Sequence, residues 1–202
     1  MSEARLRDQD DDVRLMLAFA AGDDAAFATL FERWSRPLLR YLERLVPEAA
    51  TAEDLVQEAF MRVHRARDRY RPDARFSTWL YRIGTHLAWN ELRRPRRRAP
   101  HESVDGEEAA PLVTERSPVD ELVHARRVSA EALVALAALP ERQRAALWLA
   151  AVEGQSYAEV ATALDASEPA VKALVHRART SLAEALATLR ADSVGAALEA
   201  TR

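Results

Sequence analysis

Arginine, tryptophan and amide side chains alternate along one stretch of this 202-residue chain. Arg75, Thr78, Trp79, Arg82, Thr85, His86, Trp89, Asn90 and Arg93 recur at a spacing that puts them on one side of a helix. The chemistry open to such a face is non-covalent. Aromatic rings stack on unpaired bases, and guanidinium groups hold phosphates. The segment before this face, Tyr70–Arg75, contains Pro72 and reads as a short basic connection. The competing explanation is that Trp79 and Trp89 are partly buried core residues, as aromatics usually are. Exposed tryptophans beside arginines and amides are uncommon on inert surfaces, so the spacing favours nucleic acid.

A second constellation is acidic. Asp54, Gln57, Glu58 and Met61 follow one another at i, i+3, i+4 and i+7, beside a core stripe of Leu55, Val56, Ala59, Phe60 and Val63. Spacing alone is satisfied by ordinary solvation of a helix.

A third lies in SYAEVATALDASEPAVKALVHRARTSL, residues 156–182. Ser156 and Glu159 form a capping box for a short helix with Tyr157, Val160, Ala161 and Leu164 inward. Asp165-Ala166 turns the chain, and Ser167 caps a longer helix with Val171, Val175, Ala178 and Leu182 on its core face. Short helix, tight turn and longer helix match a helix-turn-helix, whose second helix meets base edges in the major groove. Glu168, Ala170, Lys172, Ala173, His176, Arg177 and Arg179 are then the DNA-facing residues, with Lys172, Arg177 and Arg179 suited to phosphate or guanine. A plain helical hairpin is the alternative; cap, turn and basic outer face together favour DNA.

Bond-making chemistry finds no support. The chain has no cysteine, hence no thiol nucleophile or thiolate metal site. His64, His86, His101, His124 and His176 show no HExxH or comparable ligand spacing, and there is no GxGxxG, P-loop or GxSxG. Glu53, Asp54 and Glu58 have no indicated cleft or base partner for acid–base work. No metal or cofactor is expected.

The elements that position these residues are helices. Alanine and leucine dominate and isoleucine occurs once, so an all-α protein is expected. Asp12 is a candidate cap for a first helix stopped by Gly22. Asp23 or Asp24 caps a second helix that crosses Pro37 and ends at Pro47. Thr51 begins a third, and Ser77 a fourth that runs to Arg94 with Phe76, Leu80, Ile83 and Leu87 inward. Two further helices, 130–139 and 141–152, precede the helix-turn-helix.

The net charge of −3 conceals an asymmetry. Residues 60–98 carry twelve arginines against Asp68, Asp73 and Glu91, whereas Arg116 alone opposes seven acids over 99–121. A basic block inside an acidic protein points to a local polyanion site. The segment RRPRRRAPHESVDGEEAAPLVTERSP, with four prolines and little periodicity, reads as a flexible linker. It divides the chain into a helical domain at 13–94, a linker at 95–119 and a second domain at 120–190. The longest apolar runs, Ala132–Leu139 and Ala145–Val152, are too short to span a membrane, so no insertion is expected. The polar, acidic start is unlike a secretory signal, which suggests a reducing cytoplasm.

Taken together, AEDLVQEAFMRVHRAR at 52–67, FSTWLYRIGTHLAWNELRR at 76–94 and LPERQRAALWLAAVEGQSYAEVATALDASEPAVKALVHRARTSL at 139–182 resemble an extracytoplasmic-function (ECF) sigma factor of bacterial RNA polymerase. The resemblance implies a sigma-2-like bundle and a sigma-4-like helix-turn-helix. It implies that Asp54, Leu55, Gln57, Glu58 and Met61 dock on the clamp coiled coil of core RNA polymerase, which reverses the solvation explanation for that stripe. It implies that Arg71, Arg75, Thr78, Trp79, Arg82, His86, Trp89, Asn90 and Arg93 face the −10 element, and that the last helix reads the −35 element. Promoter DNA, core polymerase and an anti-sigma factor are the implied partners. The chain departs from the family pattern at Thr85-His86, usually Arg-Asn, and at Asn90, often Asp. It also departs at Asp165, usually Gly, and at Ala170-Val171-Lys172-Ala173-Leu174, usually Thr-Val-Lys-Ser-Arg. A stand-alone helix-turn-helix regulator is the other function considered, and it leaves residues 52–94 unexplained.

Overall fold

A computed structural model describes residues 10–94 and 132–199, with side chains placed through 188. All regular structure among them is helical. The linker expected at 95–119 lies outside the described residues.

Helix α1 (Asp11–Ala20) is capped by Asp10, whose carboxylate accepts from the backbone N–H of Asp12 at 3.0 Å and of Val13 at 3.3 Å. Asp12, the expected cap, instead turns inward and accepts from Arg33 and from Trp34 Nε1, stitching α1 to α2. Helix α2 (Asp24–Leu45) is capped by Asp23 and runs unbroken through Pro37. Helix α3 spans Ala49–Arg65, starting two residues before Thr51. A single 3-10 turn, Arg67–Arg69, leads to the loop before α4 (Phe76–Arg93), which starts one residue before Ser77 and has no side-chain cap.

These helices close around Met16, Phe19, Leu30, Leu38, Tyr41, Leu42, Val63, Phe76, Leu80 and Tyr81. Helix α4 crosses α2 closely at Gly84, where an added Cβ would lie 2.9 Å from Leu38 Cδ1. Beside this crossing sits a buried polar pair. Thr85 donates its one hydroxyl proton to the Tyr81 carbonyl at 2.7 Å, so Tyr41 donates to Thr85 Oγ1, also at 2.7 Å. Burial pushes the Tyr41 hydroxyl well above the usual tyrosine range.

Residues 132–137 are helical and precede α5 (Glu141–Ala151), α6 (Tyr157–Ala163) and α7 (Glu168–Glu199). The capping box is present: Glu159 N–H reaches Ser156 Oγ at 3.3 Å, and Ser156 N–H reaches Glu159 Oε2 at 2.8 Å. The turn passes through Asp165 at φ 46°. Val160, Leu164, Val171, Val175 and Ala178 then bury against Ala145, Ala146 and Leu149 of α5.

The charge pattern suggests two bodies on a slack tether. In the structure the two bodies touch: α4 packs on α6, and α2 packs on α5. Apolar burial runs continuously across the junction, which explains why α4 is enclosed on more than its core side.

Candidate nucleic-acid interface

The helix α4 face begins in the loop before it. Pro72 is buried and holds that loop down, while Arg71 and Arg75 project outward. Tyr70 lies 5.0 Å from Trp79, ring centre to ring centre, and Phe76 meets Trp79 edge-on at 6.0 Å. The three rings form an aromatic ledge beside the two arginines. Burial, reinforced by Asp10, Asp12 and Asp73, pushes the Tyr70 hydroxyl up and keeps it protonated.

Further along, Arg82, Asn90 and Arg93 are exposed and His86 and Trp89 are half-buried. Arg93 donates to the Trp89 carbonyl at 3.0 Å and to Asn90 Oδ1 at 3.1 Å, which holds the end of the face in place. Two residues assigned to this face from spacing are not on it. Thr78 is 1% exposed and points into the packed interior. Thr85 is fully buried in the pair with Tyr41, so its departure from the family pattern is a matter of core packing.

The second body covers much of what remains. Arg82 Nη2 meets Asp165 Oδ1 and His86 Nε2 meets Asp165 Oδ2, each at 2.7 Å. Arg75 Nε meets Glu159 Oε1 at 3.1 Å. The Arg142 guanidinium stands 4.8 Å from the centre of the Trp89 ring and donates to the Leu164 carbonyl at 3.2 Å. Deeper in the junction, Glu153 accepts from Tyr81 OH at 2.6 Å and from Trp148 Nε1 at 3.0 Å. Burial, with this bond to Glu153, pushes the Tyr81 hydroxyl above its ordinary range. Sequence spacing missed Arg142, Trp148 and Glu153; their partners lie up to 72 residues away, where no local pattern reports them.

Helix α7 is different. Glu168, Ala170, Lys172, Ala173, His176, Arg177 and Arg179 are all exposed along its outer side. Leu174 is half-buried and packs against the core. Among the described residues, no carboxylate forms an ion pair with Lys172, Arg177 or Arg179.

The stripe on α3 is also open. Asp54, Gln57 and Met61 are exposed and Glu58 is half-buried. Leu55, expected among them, is 8% exposed and belongs to the core. Arg62 Nε bonds Glu58 Oε1 at 2.9 Å, and this bond holds the Glu58 carboxyl below the usual carboxylate range. Phe31 of α2 is exposed and rests edge-on against Phe60 of α3, with ring centres 4.8 Å apart.

Among the described residues, no group of three or more His, Asp and Glu gathers as a metal site, and no helix is long and apolar enough to cross a membrane.

Comparisons with known proteins identify the family. Residues 30–98 match the family model for Sigma-70 region 2, and residues 129–182 match Sigma-70, region 4. The chain is 33% identical to the RNA polymerase sigma-H factor of Pseudomonas aeruginosa, over 90% of this chain and 96% of that protein. It is 34% identical to the ECF RNA polymerase sigma-E factor of Escherichia coli K12, over 80% of this chain and 86% of that one. Among solved structures, CnrH in complex with the cytosolic domain of CnrY is similar at TM-score 0.63 and 28% identity, covering 90% of this chain and 99% of CnrH. The sigma factor RpoE of Bartonella quintana, solved with the anti-sigma factor NepR, shares the fold at TM-score 0.62 and 24% identity, covering 79% of this chain and 96% of that one.

Proposed function

The chain belongs to the ECF sigma factors of the sigma-70 family, non-enzymatic proteins that direct promoter-specific initiation by RNA polymerase, and from that membership we propose how its faces divide the work. Residues 13–94 form the body that meets polymerase and the −10 element, 95–119 the linker, and 120–190 the body that meets the −35 element. Asp54, Gln57, Glu58 and Met61 dock on core polymerase. Their acids give steering and register, and the apolar groups beside them, Met61 and Phe31, supply affinity. Arg71, Arg75, Arg82 and Arg93 hold phosphates of the −10 strand while Trp79, Trp89 and His86 stack on or pack against unpaired bases, with Asn90 at the far end. Opening a duplex costs a few kcal/mol per extruded base, which an aromatic ledge flanked by cations is suited to offset. Lys172, His176, Arg177 and Arg179 meet the −35 duplex in its major groove, with Glu168, Ala170 and Ala173 against base edges.

The observation that carries this division is the aromatic and basic face of α4 on one body, together with an open basic recognition helix on the other. A dimeric operator-binding regulator would use α7 but has no use for α3 and α4. RpoE of Bartonella quintana was captured with an anti-sigma factor and CnrH with the cytosolic domain of CnrY; on that footing this chain is regulated by an anti-sigma factor in the cytoplasm.

The test is reconstitution. The full chain is mixed with core RNA polymerase, and transcript 5′ ends are mapped on a genomic fragment library. Defined starts sharing two upstream motifs are expected. Asp54→Ala with Glu58→Ala should weaken core binding about tenfold while the unfolding midpoint stays put. No binding to core enzyme by the unaltered chain would overturn the proposal.

A further inference from the structure

We propose that Met61 is an oxidation site, through which hydrogen peroxide lowers the affinity of this chain for core polymerase. The proposal rests on the α3 stripe being the polymerase-docking face and adds its regulation.

Sulfur is scarce in this chain and unevenly placed. There is no cysteine, and the methionines are Met1, Met16 and Met61. Met1 lies outside the described residues. Met16 is 0% exposed, closed into the core of the first body, whereas Met61 is 47% exposed. Peroxide therefore meets no thiol first, and among the described residues Met61 carries the one sulfur it can reach. Met61 also stands where a change of polarity counts. It follows Asp54, Gln57 and Glu58 along the outer side of α3. The residue before it, Phe60, carries the exposed ring of Phe31. The apolar share of the docking face is thus small, and half of it is a thioether.

The step is a two-electron oxidation. A sulfur lone pair attacks one peroxide oxygen, an S–O bond forms and the O–O bond breaks. The departing hydroxide takes the proton left on the transferred oxygen and leaves as water. The thioether becomes a sulfoxide and the peroxide is reduced. A dithiol reductase reverses the change: the oxygen leaves as water while the two thiols close to a disulfide.

The sulfoxide oxygen is a strong acceptor on a surface that polymerase must desolvate. Gln57 and Arg65, four residues to either side on α3, are its helical neighbours and can donate to it. Arg65 gives up little in doing so, since its contact with Glu58 is 4.0 Å long. The new oxygen is then held on the docking face. Met61 belongs to no buried cluster, so the fold tolerates the change.

The experiment treats the full chain with dilute hydrogen peroxide, removes the excess with catalase, and then titrates it against untreated core polymerase. Peptide mass mapping should place an added oxygen on Met61 and none on Met16. Core affinity should fall about tenfold, the order expected for burying a polar group without its water. The unfolding midpoint should not move. Reduction by methionine sulfoxide reductases of both epimer specificities should restore the affinity. Met61→Leu, whatever its starting affinity, should give a treated-to-untreated ratio near one; it keeps Met1 and Met16 and so reports any effect of those sites. A Met61 that takes no oxygen, an oxidised Met61 with unchanged affinity, or an equal loss in Met61→Leu would each overturn the proposal. Asp54→Ala with Glu58→Ala separates it from the docking reading. Weaker binding in that variant beside an inert oxidation leaves the α3 face in place and removes only the switch, whereas unchanged binding in it removes the face itself.

Discussion

Helices α4 and α7 carry similar outward chemistry and meet opposite surroundings. Each presents arginine at helical spacing, and each looks from its sequence like a surface for nucleic acid. On α7, Lys172, Arg177 and Arg179 stand in solvent. On α4, Arg75 and Arg82 are matched by Glu159 and Asp165, and Trp89 lies under Arg142. The difference follows from position. Helix α7 packs on α5 and α6 along one side only, whereas α4 is held by α2 and α3 from within and by α6 from without. A DNA face with an open side can be judged by its own residues. A face at a junction must be judged by what the junction puts opposite it.

The sharpest way to break this comparison is through stability. Leu80, on the inner side of α4, is fully buried. Leu80→Ala should cost about 2–5 kcal/mol of folding free energy, from lost burial and the cavity left behind. Lys172→Ala should leave the denaturant midpoint within about 0.5 kcal/mol of the parent. Equal losses would mean that α7 is not an open face.

Lys172→Ala sharpens it next through function. Reconstituted holoenzyme should lose about 1–3 kcal/mol of preference at the −35 element, read as the ratio of run-off transcripts from parent and mutated promoters. Preference at the −10 element should not change.

Alkali probes the covered side. Tyr41 and Tyr81 have hydroxyls whose ionisation is pushed up in the folded chain, chiefly by burial. Their stabilising effect is therefore complete below the unfolded tyrosine value of about 10 and is lost as pH rises through the folded values. Above about pH 10, unfolding free energy should fall by up to ~1.4 kcal/mol per pH unit for each. Tyr81→Phe should remove one tyrosine's share of that slope and about 1 kcal/mol at neutral pH, with the bond to Glu153. An unchanged slope would show that Tyr81 is solvated and the junction open.

The smallest effect belongs to the cap of α6. Ser156→Ala should cost about 1 kcal/mol, seen in the unfolding of the second body, without altering binding by α3.

Much of this architecture could be read from local sequence. The capping box at Ser156 and Glu159, the turn at Asp165-Ala166 and the core stripes of α3 and α7 all rest on contacts within a few residues, and such signals survive folding. Position along a run of equivalent residues did not survive. Asp10, Asp11 and Asp12 are equally able to cap, and the choice is made by Arg33 and Trp34, more than twenty residues away, which draw Asp12 inward. Thr78 and Thr85 were misplaced on the outer face because helical periodicity assumes one buried side, and α4 has more than one. Leu55 shows the opposite case: its spacing put it on the core stripe, where it is, and only the family resemblance grouped it with the acidic residues beside it. The contact between the bodies had no local signal at all. Glu159 and Asp165 read as cap and turn acids until the fold brings Arg75 and Arg82 to them, and Glu153 has no reading at all until Tyr81 meets it.

The central claim is that one chain lets polymerase grip a start site at two separate places. A hydroxyl-radical footprint of the reconstituted holoenzyme on a mapped promoter tests it most directly. The account predicts two protected blocks, one near −35 that fades with Lys172→Ala and Arg177→Ala, and one near −10 that fades with Arg82→Ala, and no protection by the chain alone. A footprint of equal strength without polymerase, laid symmetrically over paired half-sites and indifferent to Arg82, would contradict it.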